Sequence, residues 1–203
     1  DIADTIKTQI ELYQYGLRGV RGAILTAGEH DFSHQDFVRY SLTRDVDKEF
    51  PGARGFGFIR RVSNADLDNF INYVQKDGRP GFTIQQLSAY HGEHFIIQYI
   101  EPESRNQAAI GLDIASETSR REAALSAIRS GEVRLTAPIT LIQATGKPLQ
   151  SFLIMMPIYR TVTTPATSNE REKAGFGWSY APLLTEEVLG ALHLESDTFH
   201  ISL

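Results

Sequence analysis

The sequence predicts an α+β fold: a mostly antiparallel sheet with flanking helices, headed by one long amphipathic helix. Three observations predict it. Ile2, Ile6, Ile10, Tyr13, Leu17, Val20 and Ile24 recur in steps of three and four, which puts them on one helical face. Two apolar runs, 138–142 and 149–159, flank the turn residues Thr145-Gly146-Lys147-Pro148 and read as an antiparallel hairpin. Strand and helix patterns, finally, do not alternate at the lengths that a doubly wound parallel sheet requires.

The elements follow in order. The first helix runs from Asp1 to about Ala27 and is interrupted by Gly16, Gly19 and Gly22. Each glycine costs about 1 kcal/mol relative to Ala, so close packing on a glycine face must recover that cost, against a helix of the same chain or of a dimer partner. Ser33-His34-Gln35-Asp36 has capping-box spacing and opens a second helix through Leu42, before Pro51-Gly52 breaks the chain. Phe56–Val62 reads as a strand, and Ser63-Asn64-Ala65-Asp66 caps a third helix that reaches Lys76. Phe82–Leu87 and His94–Tyr99 are further strands around a His-Gly-Glu turn.

Residues 100–137 form the most compact succession of signals. A turn cluster, Glu101-Pro102-Glu103-Ser104, ends one apolar run, and Gly111-Leu112-Asp113 resumes it. Ser116 stands at the expected N-cap of an Ala-rich helix over Arg121–Arg129, Gly131 supplies its left-handed stop, and Val133–Thr136 alternates as a strand. Thr161–Glu172 is polar and reads as a linker or loop. Gly175–Tyr180 is predicted as a short strand, Pro182–Leu194 as a helix with Leu183, Leu184, Val188, Leu189 and Leu192 on its apolar side, and Phe199–Leu203 as a strand.

Composition sets bounds on function. The 203 residues are 41% hydrophobic and 22% charged, an ordinary globular balance. A formal net charge of −5 offers no basic footprint for phosphate backbones, so nucleic acid is not an expected partner. The absence of Cys excludes disulfides, thiolate metal sites and a thiol nucleophile. No run is long and apolar enough to span a bilayer, and the chain opens on Asp1-Ile2; we expect a piece of a larger protein whose membrane anchor lies outside it.

The motifs that could carry chemistry each have a plainer reading. Gly52–Gly57 is glycine-rich but lacks the ordered glycines, preceding strand and following helix of a phosphate-binding loop. His91 with His94 and His30 with His34 have neither zincin spacing nor an evident third ligand, and no metal or cofactor is expected. Glu101 and Glu103 lie in a turn, where solvated carboxylates are the simple reading, and no Gly-x-Ser-x-Gly elbow exists. The sheet itself remains. Its aromatics belong by default to the core, and a minority facing a cleft would line an apolar pocket in which Arg60, Asp113 or Thr136 orient a small ligand.

Six segments in order resemble the CHASE domain: Phe50-Pro51-Gly52 with Gly55–Phe58 and Arg61-Val62; Tyr99–Pro102 with Asn106; Ile110–Ser116; Arg120–Ala124; Leu135–Pro138 with Leu141; and Met156–Tyr159. The family is the extracytoplasmic sensor of membrane-bound histidine kinases and nucleotide cyclases. The resemblance implies a stalk helix followed by two PAS-like subdomains. We place the stalk and flanking helices at 1–49, a membrane-distal ligand-binding subdomain at 50–160, and a linker with the start of a smaller membrane-proximal subdomain at 161–203. It implies a pocket in the distal sheet, with Leu112 and Thr136 as first candidates and Phe58, Tyr90 and Phe95 from neighbouring strands. Plant receptors of the family hold an adenine-like ligand through an acidic residue just before the Tyr-x-Pro segment; Ser88–Glu93 does not reproduce that register, so a different bacterial metabolite is expected.

The expected protein is thus a noncatalytic periplasmic ectodomain of an inner-membrane receptor. It binds a small molecule, dimerises through the stalk near Gly16, Gly19 and Gly22, and signals to a cytoplasmic kinase, diguanylate cyclase or phosphodiesterase. A ligand-free interaction or spacer domain of such a receptor is the alternative.

Overall fold

A computed structural model describes residues 2–142 and 148–192. Helix α1 (Ile2–Ala27) buries Tyr13, Gly16, Leu17, Val20 and Ile24, the stripe that the apolar spacing predicts. Helices α2 (His34–Leu42) and α3 (Val46–Glu49) follow, and α2 opens on a complete capping box between Ser33 and Asp36. Strand β1 (Phe56–Val62) precedes α4 (Leu67–Lys76), which starts one single-turn helix later than the Ser63 cap because Ser63 caps the 3-10 turn Asn64–Asp66.

Then come β2 (Gln85–Gln86), β3 (His94–Glu101), β4 (Leu112–Asp113), α5 (Thr118–Ser130), β5 (Arg134–Leu135), β6 (Ile139–Ile142) and β7 (Pro148–Tyr159). The chain continues through α6 (Ser168–Ala174), β8 (Gly175–Leu184) and α7 (Thr185–Ala191). Eight strands form one mixed sheet in the order β2-β4-β3-β1-β8-β7-β5, with β6 also paired to β7. All pairings among these strands are antiparallel except β2 with β4. The result is the α+β, PAS-like arrangement that the sequence predicts, with the long helix in front of it.

Each sheet face buries its own core. Phe56, Phe58, Tyr99, Phe152, Ile154, Met156, Phe176, Ala181 and Leu183 meet α1, α2 and α7. Ile59, Phe95, Ile97, Leu153, Met155, Trp178 and Tyr180 meet Ala124, Ala127 and Ile128 of α5. Helix α4 extends the α1 layer over Val62 and Ile96.

Four expectations are revised. Gly175–Leu184 is not the opening of a second unit: it is the strand between β1 and β7, buried along its whole length. Pro182 therefore belongs to a strand rather than to a helix, at a place beyond the last β1 pair, Gly57 with Tyr180, where a missing N–H is tolerated. The polar stretch 161–172 holds the start of α6, capped reciprocally by Thr167 and Glu170. The strand expected over Phe82–Leu87 shrinks to two residues, and Phe82 packs instead on Phe70 of α4, ring centroids 5.9 Å apart. The hairpin turn at 143–147, the last turn of the helix expected to reach Leu194 and the strand expected at Phe199–Leu203 lie outside the described residues.

Candidate functional site

Beneath α5 the sheet surface is closed by its own side chains. Trp178 is 0% and Tyr180 and Phe95 each 1% exposed, with the Phe95 and Trp178 rings 4.6 Å apart. The indole N–H donates to the Ala124 carbonyl at 2.9 Å, which satisfies the one polar group of that ring and pins β8 to α5. The Tyr159 hydroxyl likewise donates to the Ile128 carbonyl. Helix α5 begins with Glu117, not Ser116, as its cap: the Glu117 carboxylate accepts from the backbone N–H groups of Ser119 and Arg120. Ser116 is buried and ties two segments together, accepting from Leu87 N at 2.8 Å and donating to the Asp113 carbonyl at 2.6 Å. Gly131 ends the helix at φ +77°, the left-handed position that the sequence requires.

The seven residues expected to contact ligand divide between three places. Phe95, Tyr90 and Leu112 belong to the α5 face, Tyr90 with the Arg121 guanidinium 4.3 Å above its ring. Asp113 is fully buried beside them, but its carboxylate is consumed: it accepts from Phe95 N at 2.9 Å, Ala115 N at 3.1 Å, Gln86 Nε2 at 3.2 Å and His94 Nδ1 at 2.8 Å. Its role in the fold is to fasten β4 to β3. Thr136 lies at the far edge, where its N–H and Oγ1 both bond the backbone of Leu153. Leu112 and Thr136 thus stand near opposite edges of the sheet, with β3, β1, β8 and β7 between them.

Phe58 and Arg60 occupy the other face. Phe58 packs in the α1 layer, and Arg60 lies 5.1 Å over its ring. The Arg60 guanidinium donates to Gln98 Oε1 at 3.0 Å and to the Glu29 carbonyl at 2.9 Å, and burial pulls its pKa below the usual arginine range. Strand alternation in β1 is the reason: Phe58 and Arg60 share parity, and Ile59 faces α5.

Sequence reasoning did not single out the residues of greatest interest. Tyr180 and Ser151 lie on the α5 face, in step with Trp178 and Leu153, and neither hydroxyl has a hydrogen-bond partner although both are buried. The Tyr180 ring rests over Gly57, where a Cβ would come 2.5 Å from Cε1, and burial raises the pKa of its phenol. An unsatisfied buried hydroxyl costs about 1–3 kcal/mol. Polar residues in an apolar strand were the available signal, since Ser151, Ser179 and Tyr180 each interrupt hydrophobic runs.

Metal and dimer positions can also be placed. Ligand atoms of His34, Glu101 and Glu103 lie within 4.8 Å of one another, the one such group among the described residues. Arg79 already holds Glu103 at 2.6 and 3.0 Å and meets His34 Nε2 at 3.2 Å, so the cluster is neutralised by a guanidinium. Of the stalk glycines, Gly16 faces Phe56 and Gly19 faces Tyr40 of the same chain, each where a Cβ would collide, and Gly22 has nothing within 4 Å. The close approach that Gly16 and Gly19 permit is therefore intramolecular. An open groove of about 540 Å³ between α2–α3 and Pro102 is lined by none of the seven expected residues.

No helix among the described residues is long and apolar enough to cross a membrane. No curated protein matches the chain. The family model described as the CHASE domain matches residues 30–203, most of the chain, and that family is an extracytoplasmic sensory domain of receptors with no catalytic role. The match spans the sheet and helices packed on both of its faces, and the chain belongs to the CHASE domain family.

Proposed function

We propose that this domain binds a small, largely apolar molecule between the sheet and α5 and passes the resulting displacement of α5 and β8 to a cytoplasmic kinase, diguanylate cyclase or phosphodiesterase. The observation that supports it is the Tyr180 hydroxyl: buried, unpartnered, and set in an apolar layer beside Met155 and Trp178. A ligand acceptor meeting that O–H would relieve its desolvation cost, so the occupied state gains more than the contact alone. Occupation requires Trp178 or Phe95 to move, which links binding to a change in shape, and only a ligand with different affinities for the two shapes can signal.

In the receptor the domain is periplasmic and membrane-anchored through segments outside this chain, and it pairs with a second copy along α1. The free stripe of that helix is Glu11, Tyr15, Arg18, Gly22 and Thr26, all exposed, whereas Gly16 and Gly19 are occupied internally. Light scattering should show the dimer weakened by Gly22→Leu; an unchanged dimer would remove that interface.

A metabolite thermal-shift screen tests the ligand reading. A ligand at a hundred times its Kd stabilises by roughly 2.7 kcal/mol, and Tyr180→Phe should reduce that shift. The second reading, a ligand-free interaction or spacer domain, is favoured by the completeness of packing around Trp178. It prevails if no metabolite raises the melting temperature.

A further inference from the structure

His94 is 6% exposed and stands between two oxygen atoms. Its Nδ1 is 2.8 Å from Asp113 Oδ2 and its Nε2 2.7 Å from Asn64 Oδ1. Both neighbours are fixed as acceptors. The Asp113 carboxylate receives two backbone N–H groups and an amide besides the imidazole, which leaves it no hydrogen to give. The Asn64 amide donates through Nδ2 to the carbonyls of His91 and Gly92, at 3.0 and 3.2 Å. Turning that amide over to offer His94 a hydrogen would set Oδ1 against two carbonyl oxygens. Only the doubly protonated imidazolium satisfies both contacts at once.

We infer that His94 is a proton-operated clasp on the segment 85–93. The charged ring, neutralised by Asp113, holds Asn64, and Asn64 holds the carbonyls at 91 and 92. The same segment is tied to β4 by Gln86 Nε2 on Asp113 and to the turn before α5 by Leu87 N on Ser116 Oγ, and Gln86 Nε2 also holds the segment's own Tyr90 carbonyl. Loss of the proton removes one of the two His94 bonds and the counter-charge of a buried carboxylate together, so the segment and Tyr90 come away from the α5 face. The clasp needs both ring protons, so it is closed while the ring carries two and open once one has left.

Other charges nearby are already engaged. Glu93 is bound by Arg61 of β1, which also holds Glu172 of α6, at 2.7 and 2.8 Å. Asp66, before α4, accepts from Ser63 Oγ, and Arg121 of α5 lies on Tyr90 and donates to the Ala115 carbonyl. Among the described residues, Asp113 is the one carboxylate bonded to the ring. This inference is independent of any small-molecule ligand.

Histidine ring nitrogen spectra of this chain, recorded between about pH 5 and 9, read the ring directly. Both His94 nitrogens should carry protons at the acidic end. As the ring deprotonates, the Leu87 amide should lose about tenfold of its hydrogen-exchange protection after correction for intrinsic rate, while β7 and β8 amides keep theirs. In Asn64→Ala, Leu87 should be poorly protected at every pH, and in His94→Gln its protection should no longer depend on pH. If His94→Gln does not fold, Asn64→Ala carries the comparison. A singly protonated His94 throughout the range, or Leu87 protection in the parent chain that ignores pH, overturns the clasp.

Discussion

Single residues in this domain are best understood by asking which of their polar atoms are already spent. Asp113 makes four hydrogen bonds without solvent, so Asp113→Ala should destabilise by about 2–6 kcal/mol in urea unfolding, because it leaves the Phe95 and Ala115 N–H groups without their acceptor. Tyr180 is the opposite case. Removing its orphan hydroxyl in Tyr180→Phe should leave stability unchanged or raise it by about 1 kcal/mol. An acid limb is expected from Glu103, whose bonds from Arg79 hold its carboxyl below the usual range. A depressed carboxylate contributes stability above its unfolded pKa and loses it as pH falls through the folded value. Urea unfolding of Arg79→Gln should therefore be less sensitive to acid below about pH 4.5 than that of the parent chain.

At the scale of elements, the three stalk glycines separate into different tests. Gly22 is exposed with open space where a side chain would go, so Gly22→Ala should stabilise α1 by roughly 0.8–1 kcal/mol. Gly16→Ala drives a methyl to 2.3 Å from the Phe56 ring and should cost about 1–3 kcal/mol, read by the same unfolding curve. What sequence could supply follows the same division. Periodicity located α1, β1, β3 and β7, and local chemistry located the Ser33 cap and the left-handed Gly131, because those signals are contained within a few residues. The burial of β8 depends on both neighbours, and its last residues, Pro182-Leu183-Leu184, read equally well as the start of the helix that follows. The candidate site was less legible for the same reason. Tyr90, Phe95 and Leu112 do share the α5 face, but Phe58 and Arg60 point away from it, Asp113 spends its carboxylate on backbone and side chains within the fold, and Thr136 bonds the backbone of Leu153.

For the whole molecule, the two cores report separately. Trp178 is the only tryptophan and lies in the α5 layer, so its emission follows that layer and not the one beneath α1. Binding between sheet and α5 should shift the emission; a ligand that raised the melting temperature without moving it would have to sit elsewhere.

The position of β8 also governs when the sheet can exist. The half built from β2, β4, β3 and β1 and the half built from β5, β6 and β7 share no strand pairing, and β8, the last strand described, is paired to both. Until residues 175–184 have left the ribosome, β1 and β7 are two bare edges of the kind that recruit other chains. Two unfinished half-sheets must therefore wait side by side from the end of β7 until β8 emerges, and a nascent chain stalled between Tyr159 and Gly175 leaves both edges open to aggregation.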